Sequence, residues 1–422
     1  VASPATVSRC GMVYYEPHQM GLYPSLSSWL NTLPPTVADS NKQIIESMFK
    51  WLVPPALKYL RRELKEVSPS SDVQMGWSLL KMIDSMMEDF KFGEEYGDGR
   101  ELNKFSLTEK EATAQIEGIF LFSMTWSICA SVDAPGRQKF SDFLKECTAG
   151  TVPAPYNEEG ERGTYMISNP FPKEGNIYQY HFDTNKAKWG LWTGLIDRAP
   201  FNVALEPHEI IVPTIDTTRY TFWLDKCCKN ASLNHTLNRM AFMLVGPTGT
   251  GKTVYINNHL LSGLSPEKFG VISLGFSAQT TAQQTQDIID GKLDKRRKGV
   301  YGPPMGKTCL VFVDDLNMPN KETYGAQPPI EILRQYMDFD GWYDLKEKVF
   351  RNIVDVMYVA AMGPPGGGRT FITPRFTRWF NVISVTEFDN EAMSGIFDSI
   401  MKFQFDKKST PGAIKGLKDN MI

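Results

Sequence analysis

The chain has 422 residues, of which 42% are hydrophobic and 22% charged, and its formal net charge is −3. That balance excludes a disordered polymer, and a nearly neutral chain carries no electrostatic footprint for nucleic acid. The length exceeds the size at which one core keeps growing, so two or three packing units are expected.

The sequence opens at Val1 without a methionine or a signal-peptide pattern, inside what reads as a structural element, and so reads as a piece excised from something larger. From about Ser25 to Cys147 the texture is helical. In "NKQIIESMFKWLVPPALKYLRREL", Ile44, Ile45, Met48, Phe49 and Leu52 share one helical face, and Pro54-Pro55 predicts a break or kink. "WSLLKMIDSMMEDF" predicts a second amphipathic helix whose stripe of Leu79, Leu80, Ile83, Met86 and Met87 belongs in a core. The run from Glu111 to Val132 predicts a third. Its apolar part, Ile119 to Val132, is too short to span a bilayer and carries serine and threonine, so a buried helix is expected and no membrane partner. The six cysteines, Cys10, Cys129, Cys147, Cys227, Cys228 and Cys309, lack C-x-x-C spacing and read as reduced core thiols.

"TAGTVPAPYNEEGERGTYMISNPFPKEG" is rich in glycine, proline and charge and reads as an exposed connection. "IYQYHF" and "KWGLW" around Asp183-Thr184-Asn185 predict a β-hairpin. From about Pro207 strands and helices alternate. "MAFMLV", "FGVISLGF", "TCLVFVDD" and "IVDVMYVAAM" are the strands, and "YINNHLL", "TTAQQTQDIIDGKL" and "PPIEILRQYMDF" the helices, which predicts a parallel sheet covered on both faces. The basic run "DKRRKG" (Lys295, Arg296, Arg297, Lys298) reads as a solvated tip between helix and strand.

Residues 246 to 253, "GPTGTGKT", fit G-x-x-x-x-G-K-[ST] directly after an apolar strand and before a helix. Gly246, Gly249 and Gly251, with Pro247, Thr248 and Thr250 between them, would turn backbone N–H groups into a concave anion site. Lys252 would reach the terminal phosphates of ATP or ADP, and the Thr253 hydroxyl would join the Mg2+ shell. Some sixty residues on, "CLVFVDD" supplies an acidic strand end. Asp314 is placed to hold Mg2+, and Asp315 to lie beside an attacking water. Taken alone, that pair would be a solvated turn; paired with the phosphate loop it reads as the second half of a nucleotide site.

These two motifs resemble the Walker A and B elements of AAA+ ATPases. Together with "SPATVSRCGMVYYEP", "IIVPTIDTTRY" and "GPPGGGRTFITPRFTRWFNVI", they resemble, in order along the chain, the dynein heavy chains, the axonemal branch most. The resemblance implies four parts: residues 1–150 as the end of a second AAA+ module, with its last strand and helical small (lid) subdomain; 151–206 as a linker; 207–400 as the large α/β subdomain of the third module; and 401–422 as the start of that module's truncated lid. It implies Val212 and Pro213 against the adenine, although a proline ending an extended run is the plainer alternative. It also implies Arg9 directed at the nucleotide of the preceding module, and Arg375 and Arg378 as candidates reaching toward the second module, with a surface salt bridge as the alternative for each. The partners implied are the neighbouring modules of the same chain, microtubules through other parts of it, and dynein intermediate and light chains, in a cytoplasmic, cytoskeletal setting of cilium or flagellum.

Two departures bear on hydrolysis. Asp315 replaces the usual glutamate and is one methylene shorter, and Gly363 in "AAMGPP" stands where many AAA+ proteins carry an asparagine that orients the water. Misplacing that water by about 1 Å costs on the order of a hundredfold in rate. Binding with slow turnover, as in a nucleotide-dependent switch, is therefore the expectation, against a fully competent ATPase or a spacer with a vestigial loop.

Overall fold

The computed structural model describes residues 3–406 apart from 12, 92–106, 159, 161–164, 198–200, 203 and 231–240. Met240 and residues 407–422 of the expected final lid segment lie outside the described residues. The first half carries α1 (Pro4–Val7), α2 (Pro17–Met20), α3 (Tyr23–Thr32), α4 (Asp39–Glu63), α5 (Asp72–Met86), α6 (Glu109–Thr125) and α7 (Ala134–Ala149). An antiparallel hairpin of β1 (Tyr180–Asp183) and β2 (Lys188–Leu191) comes before α8 (Ile215–Asn230). There follow β3 (Ala241–Val245), α9 (Lys252–Asn258), β4 (Phe269–Gly275), α10 (Ala282–Asp290), β5 (Asp294–Arg297), β6 (Val300–Gly302) and β7 (Thr308–Asp314). The last elements are α11 (Pro328–Phe339), β8 (Gly341–Tyr343), β9 (Phe350–Ile353), β10 (Val356–Met362), α12 (Pro374–Thr377), β11 (Phe380–Ser384) and α13 (Asn390–Asp406).

The helices begin where the chain supplies caps. Ser71 accepts from the Gln74 amide, Thr108 and Glu111 form a capping box, and Asp133 accepts from Gly136. The methionine-leucine stripe of α5 is buried as expected. Helix α4, however, continues through Pro54 and Pro55 instead of breaking there. The two prolines remove the intrahelical donors of the Lys50 and Trp51 carbonyls. The Gly160 backbone packs over those two carbonyls: a Cβ at Gly160 would come within 2.9 Å of both oxygens, and its φ is +86°.

Helix α6 ends at Thr125, short of the expected Val132. At that end the Thr125 hydroxyl donates to the Leu121 carbonyl and the Ser127 hydroxyl to that of Ser123. Val132 then pairs with Glu66 as an isolated bridge. Among the described residues no helix is long and apolar enough to cross a membrane. Five cysteines are buried, but Cys10 is exposed.

Other expectations need correction. The connection after α7 is exposed at many positions, as expected, but it is also anchored. The buried Glu117 carboxylate of α6 accepts hydrogen bonds from the Tyr165 hydroxyl, the Ser168 hydroxyl and the Ser168 and Asn169 amides. Burial, and then the bond to Glu117, push the Tyr165 phenol well up. The basic run is exposed, as expected, but at a strand hairpin rather than between helix and strand: Lys295 to Arg297 lie in β5, paired with β6 through the turn at Lys298 and Gly299 (φ +75°), and Arg296 pairs with Asp355 at 3.2 Å. They belong to a small sheet of order β5-β6-β9-β8 that hydrophobic periodicity does not announce.

The main sheet has the order β11-β3-β10-β7-β4, all parallel. Every residue of β3 and β10 is buried, as in a sheet covered on both faces. Phe242, Leu244, Phe312, Val359 and Ile383 face the core shared with the helical half; Met243, Val245, Val313, Ala360 and Phe380 face the core under α10 and α11. Edge strand β11 is covered by the helical half. The Ser384 amide donates to the Ala130 carbonyl at 2.7 Å, Arg137 donates to the Ser384 carbonyl, Gln74 to those of Thr377 and Phe380, and Ser78 bonds Asn381.

Lys81 of α5 lies in this junction, 7% exposed, with its ammonium 5.7 Å from the centre of the Trp379 ring. Burial lowers its pKa to about 8 from 10.5. The folded value lies below the unfolded one, so charged Lys81 costs stability at low pH, and that cost fades as pH rises between about 8 and 10.5. Lys81→Met is expected to raise the thermal midpoint at pH 7, by an amount equivalent to about 3 kcal/mol, with the gain shrinking toward zero near the upper end of that range. A gain that does not change with pH would show that lysine burial is not its source.

Candidate nucleotide site

Parallel pairing ends β3, β10 and β7 on one level. Val245 lies opposite Met362, and Ala360 opposite Val313. The Gly246 amide donates to the Met362 carbonyl and the Leu316 amide to that of Ala361, so the segments leaving the three strands stay side by side. The chain runs from β3 to the far edge at β4 and returns through β7 and β10 before adding β11 on the other side. Ligands of open α/β sheets bind at the carboxyl ends of strands where the order reverses in this way.

The loop from Gly246 to Thr253 leaves β3 at that reversal. Gly249 (φ +87°) and Gly251 (φ +79°) take the left-handed conformation that side chains resist. Gly246 is glycine for another reason: a Cβ there would meet the Val385 carbonyl at 2.5 Å. The Tyr255 ring closes over Gly251 in the same way. Helix α9 begins at Lys252 and continues as a π-turn from His259 to Gly263.

Lys252 is 9% exposed and its ammonium folds back on the loop, donating to the Pro247 carbonyl and, at 3.2 Å, to the Thr250 hydroxyl. Burial lowers its pKa, the nearby Arg369 guanidinium lowers it further, and Asp314 and Asp315 oppose the shift. A buried ammonium turned onto its own loop, with a second cation beside it, suits a polyanion. The Thr253 hydroxyl bonds the Asp314 carboxylate at 2.8 Å, joining the two motifs. Among the described residues no group of three or more His, Cys, Asp or Glu could hold a metal ion. Mg2+ would therefore rely on Thr253, Asp314 and the phosphates, the sparse shell this ion accepts.

Asp315 stands in the left-handed region at φ +50°, where its amide reaches the Asp314 carboxylate at 2.9 Å. Its own carboxylate pairs with Arg369 at 3.3 Å. Arg369 also lies 3.5 Å from the Thr248 hydroxyl and covers Gly363, whose carbonyl accepts from Asn317 at 2.9 Å. Sequence reasoning missed both Arg369 and Asn317. The available signal was an arginine straight after three glycines behind a buried strand; those glycines, at φ +120°, +58° and +87°, fold the chain back onto the site.

The remaining candidates stand on other segments. Val212 and Pro213 are half-buried in the turn before α8, which packs against α9. Arg375 pairs with Glu331 at 3.2 Å and Arg378 with Asp338 at 2.8 Å, both on α11. Arg9 is exposed after α1.

A five-stranded parallel sheet with a phosphate loop after β3, an acidic end on β7 and β10 between them defines a P-loop nucleotide-binding module of the AAA+ class. Residues 199–388 match the family described as the P-loop containing dynein motor region, and residues 45–194 the dynein heavy chain AAA lid domain. Dynein axonemal heavy chain 3 of Homo sapiens is 41% identical over 410 residues, covering 96% of this chain and 10% of that relative. Dynein axonemal heavy chain 12 of Mus musculus is 42% identical over 95% of this chain and 12% of its own length. Dynein axonemal heavy chain 1 of Homo sapiens is 41% identical over 95% of this chain and 9% of its own. The chain belongs to the dynein heavy chain family, and it spans about a tenth of the length of these relatives.

Lys252→Ala is expected to weaken magnesium-dependent ATP and ADP binding about a hundredfold and to remove nucleotide-dependent thermal stabilisation. Unchanged affinity would overturn the assignment of this loop.

Proposed function

We propose that the chain joins the end of a second AAA+ module, residues 1–150, through a linker at 151–206, to the large subdomain of the third, residues 207–400, in a dynein motor ring. In this reading residues 401–422 begin the third module's lid. The third-module site binds ATP or ADP with Mg2+ and turns over slowly, acting as a nucleotide-dependent switch on microtubule-based motility. The observation that carries this is the bond between Thr253 and Asp314, which joins phosphate loop and acidic strand end with Lys252 beside them.

Each residue of the cluster has a task its chemistry suits. The amides of Gly246 to Thr253 and the Lys252 ammonium hold the phosphates; Thr253 and Asp314 hold Mg2+; Val212 and Pro213 line the adenine. Bound Mg2+ would neutralise charge on the phosphate oxygens. Asp315 accepts a hydrogen bond from the attacking water, but it is short and engaged by Arg369. Gly363 offers that water no side chain. These two features favour slow turnover over a fully competent ATPase, and the intact loop and acidic end speak against a spacer.

Arg9 is proposed to act on the nucleotide of the preceding module. Arg375 and Arg378 would leave their α11 carboxylates to reach the second module, since a planar, permanently charged fork suits charge building on a transferred phosphoryl group. The neighbouring modules are then obligatory partners. Microtubules and the intermediate and light chains engage other parts of the heavy chain, in the axoneme of a cilium or flagellum.

Asp315→Asn tests the rate. Asparagine tolerates the positive φ, so binding should persist. In the intact heavy chain with its other nucleotide sites disabled, phosphate release is expected to change less than about twofold, because little depends on a poorly placed base. A drop of the roughly hundredfold size that a working general base supplies would instead identify a competent ATPase.

A further inference from the structure

Arg369 is the cation the sequence reading left without a role, yet it occupies the middle of the site. A Cβ built on Gly363 would lie 1.3 Å from its Nη1 and 2.4 Å from its Cζ. The guanidinium therefore fills the space a side chain at 363 would take, at the mouth of β10 between the phosphate loop and the acidic end. It touches both walls, Thr248 of the loop at 3.5 Å and Asp315 at 3.3 Å. Its backbone is fixed by paired hydrogen bonds with Gly366, each 3.0 Å, and the next residue, Thr370, bonds the Asn317 carbonyl. An arginine on so short a tether is presented to the cleft rather than released to solvent.

We infer that Arg369 is a terminal-phosphate ligand supplied in cis, held ready on Asp315 and Thr248, and that it gives this site its preference for a nucleoside triphosphate over a diphosphate. This rests on the nucleotide-site reading above and deepens it. A guanidinium prefers a bidentate phosphate to a single carboxylate oxygen at 3.3 Å. When a terminal phosphate takes the fork, the Asp315 carboxylate is freed to accept a hydrogen bond from water. The absent side chain at position 363 is the space the device needs.

The test uses the intact heavy chain and a photoactivatable azido-ATP. Incorporation is read by mass spectrometry in peptides carrying Val212 or Lys252, so that only this site reports, with ATP or ADP as competitor. Arg369→Ala is expected to weaken competition by ATP about tenfold or more while leaving ADP within about twofold. Gly363→Ala should do the same, because its methyl displaces the far end of a flexible side chain rather than backbone. The double variant should be no worse than either single one, as both act on one group. Arg369→Lys, which keeps the charge but not the fork, should fall between. Equal losses for ATP and ADP, or none, would overturn the inference and leave the nucleotide site standing. A parent chain that is not labelled in those peptides would overturn both.

Discussion

Parallel pairing of β3, β10 and β7 is the constraint on which the rest of the molecule depends. A parallel ladder ends neighbouring strands at one edge of the sheet, so three segments far apart in sequence emerge side by side: the phosphate loop, the Gly363 turn and the Asp314-Asp315 pair. A slip of one residue in either pairing would reverse which side chains face each core. Both faces of these strands are filled, so such a slip is strongly disfavoured. The precision of the site is therefore a consequence of packing. Thr253 meets Asp314 because Phe242, Leu244 and Phe312 fill one side of the sheet while Met243, Val245 and Val313 fill the other.

The same logic explains why the helical half is joined to the sheet by polar bonds as well as by its core. Strand β11 is an edge, and its outer peptide groups need partners once buried. Ala130, Gln74 and Arg137 supply them. Arg137 is itself held by ring faces, 5.7 Å from Trp126 and 5.2 Å from Tyr178, and Arg219 lies 5.8 Å from the same tryptophan. Just past β11, Val385 sits against Gly246 so closely that no side chain fits between them. The root of the phosphate loop is thus packed on a strand that the preceding helical unit grips. Movement of that unit and the geometry of the loop share a single wall.

Much of this was legible in the chain, for reasons that can be named. Strands β3, β4, β7 and β10 are short apolar runs between helical patterns, a texture that only a covered parallel sheet satisfies. The α5 stripe follows the 3.6 period, and the hairpin is announced by Asp183-Thr184-Asn185 between two aromatic runs. What stayed hidden depends on contacts distant in sequence. Glu117 ties down the connection through residues about fifty positions on, and no local composition announces that. Pro54-Pro55 stays within a helix, and Gly160, more than a hundred residues away, packs over the Lys50 and Trp51 carbonyls. The small sheet of β5, β6, β8 and β9 escaped because its strands are only three or four residues long and pair across α11 and β7. Within the site, the motif residues could be read from spacing alone, but Arg369 could not. Its place comes from a three-glycine turn whose direction a sequence does not give.

Gly363 and Arg369 illustrate why substitutions read singly misjudge a site. Scored against a pattern, Gly363 is a lost polar group and Asp315 a shortened base, and both argue for impaired chemistry. In three dimensions the lost side chain and the arginine occupy one volume, and the shortened acid is that arginine's partner. Any side chain at 363 would displace the guanidinium from the space it fills, since even a Cβ there would lie 1.3 Å from its Nη1. The three positions therefore form a set in which each choice makes sense only with the other two, as expected where close packing and charge pairing act on the same atoms. On the inference drawn above, the response of the site to nucleotide turns on where one guanidinium rests, on the acid or on the phosphate, rather than on any single motif residue.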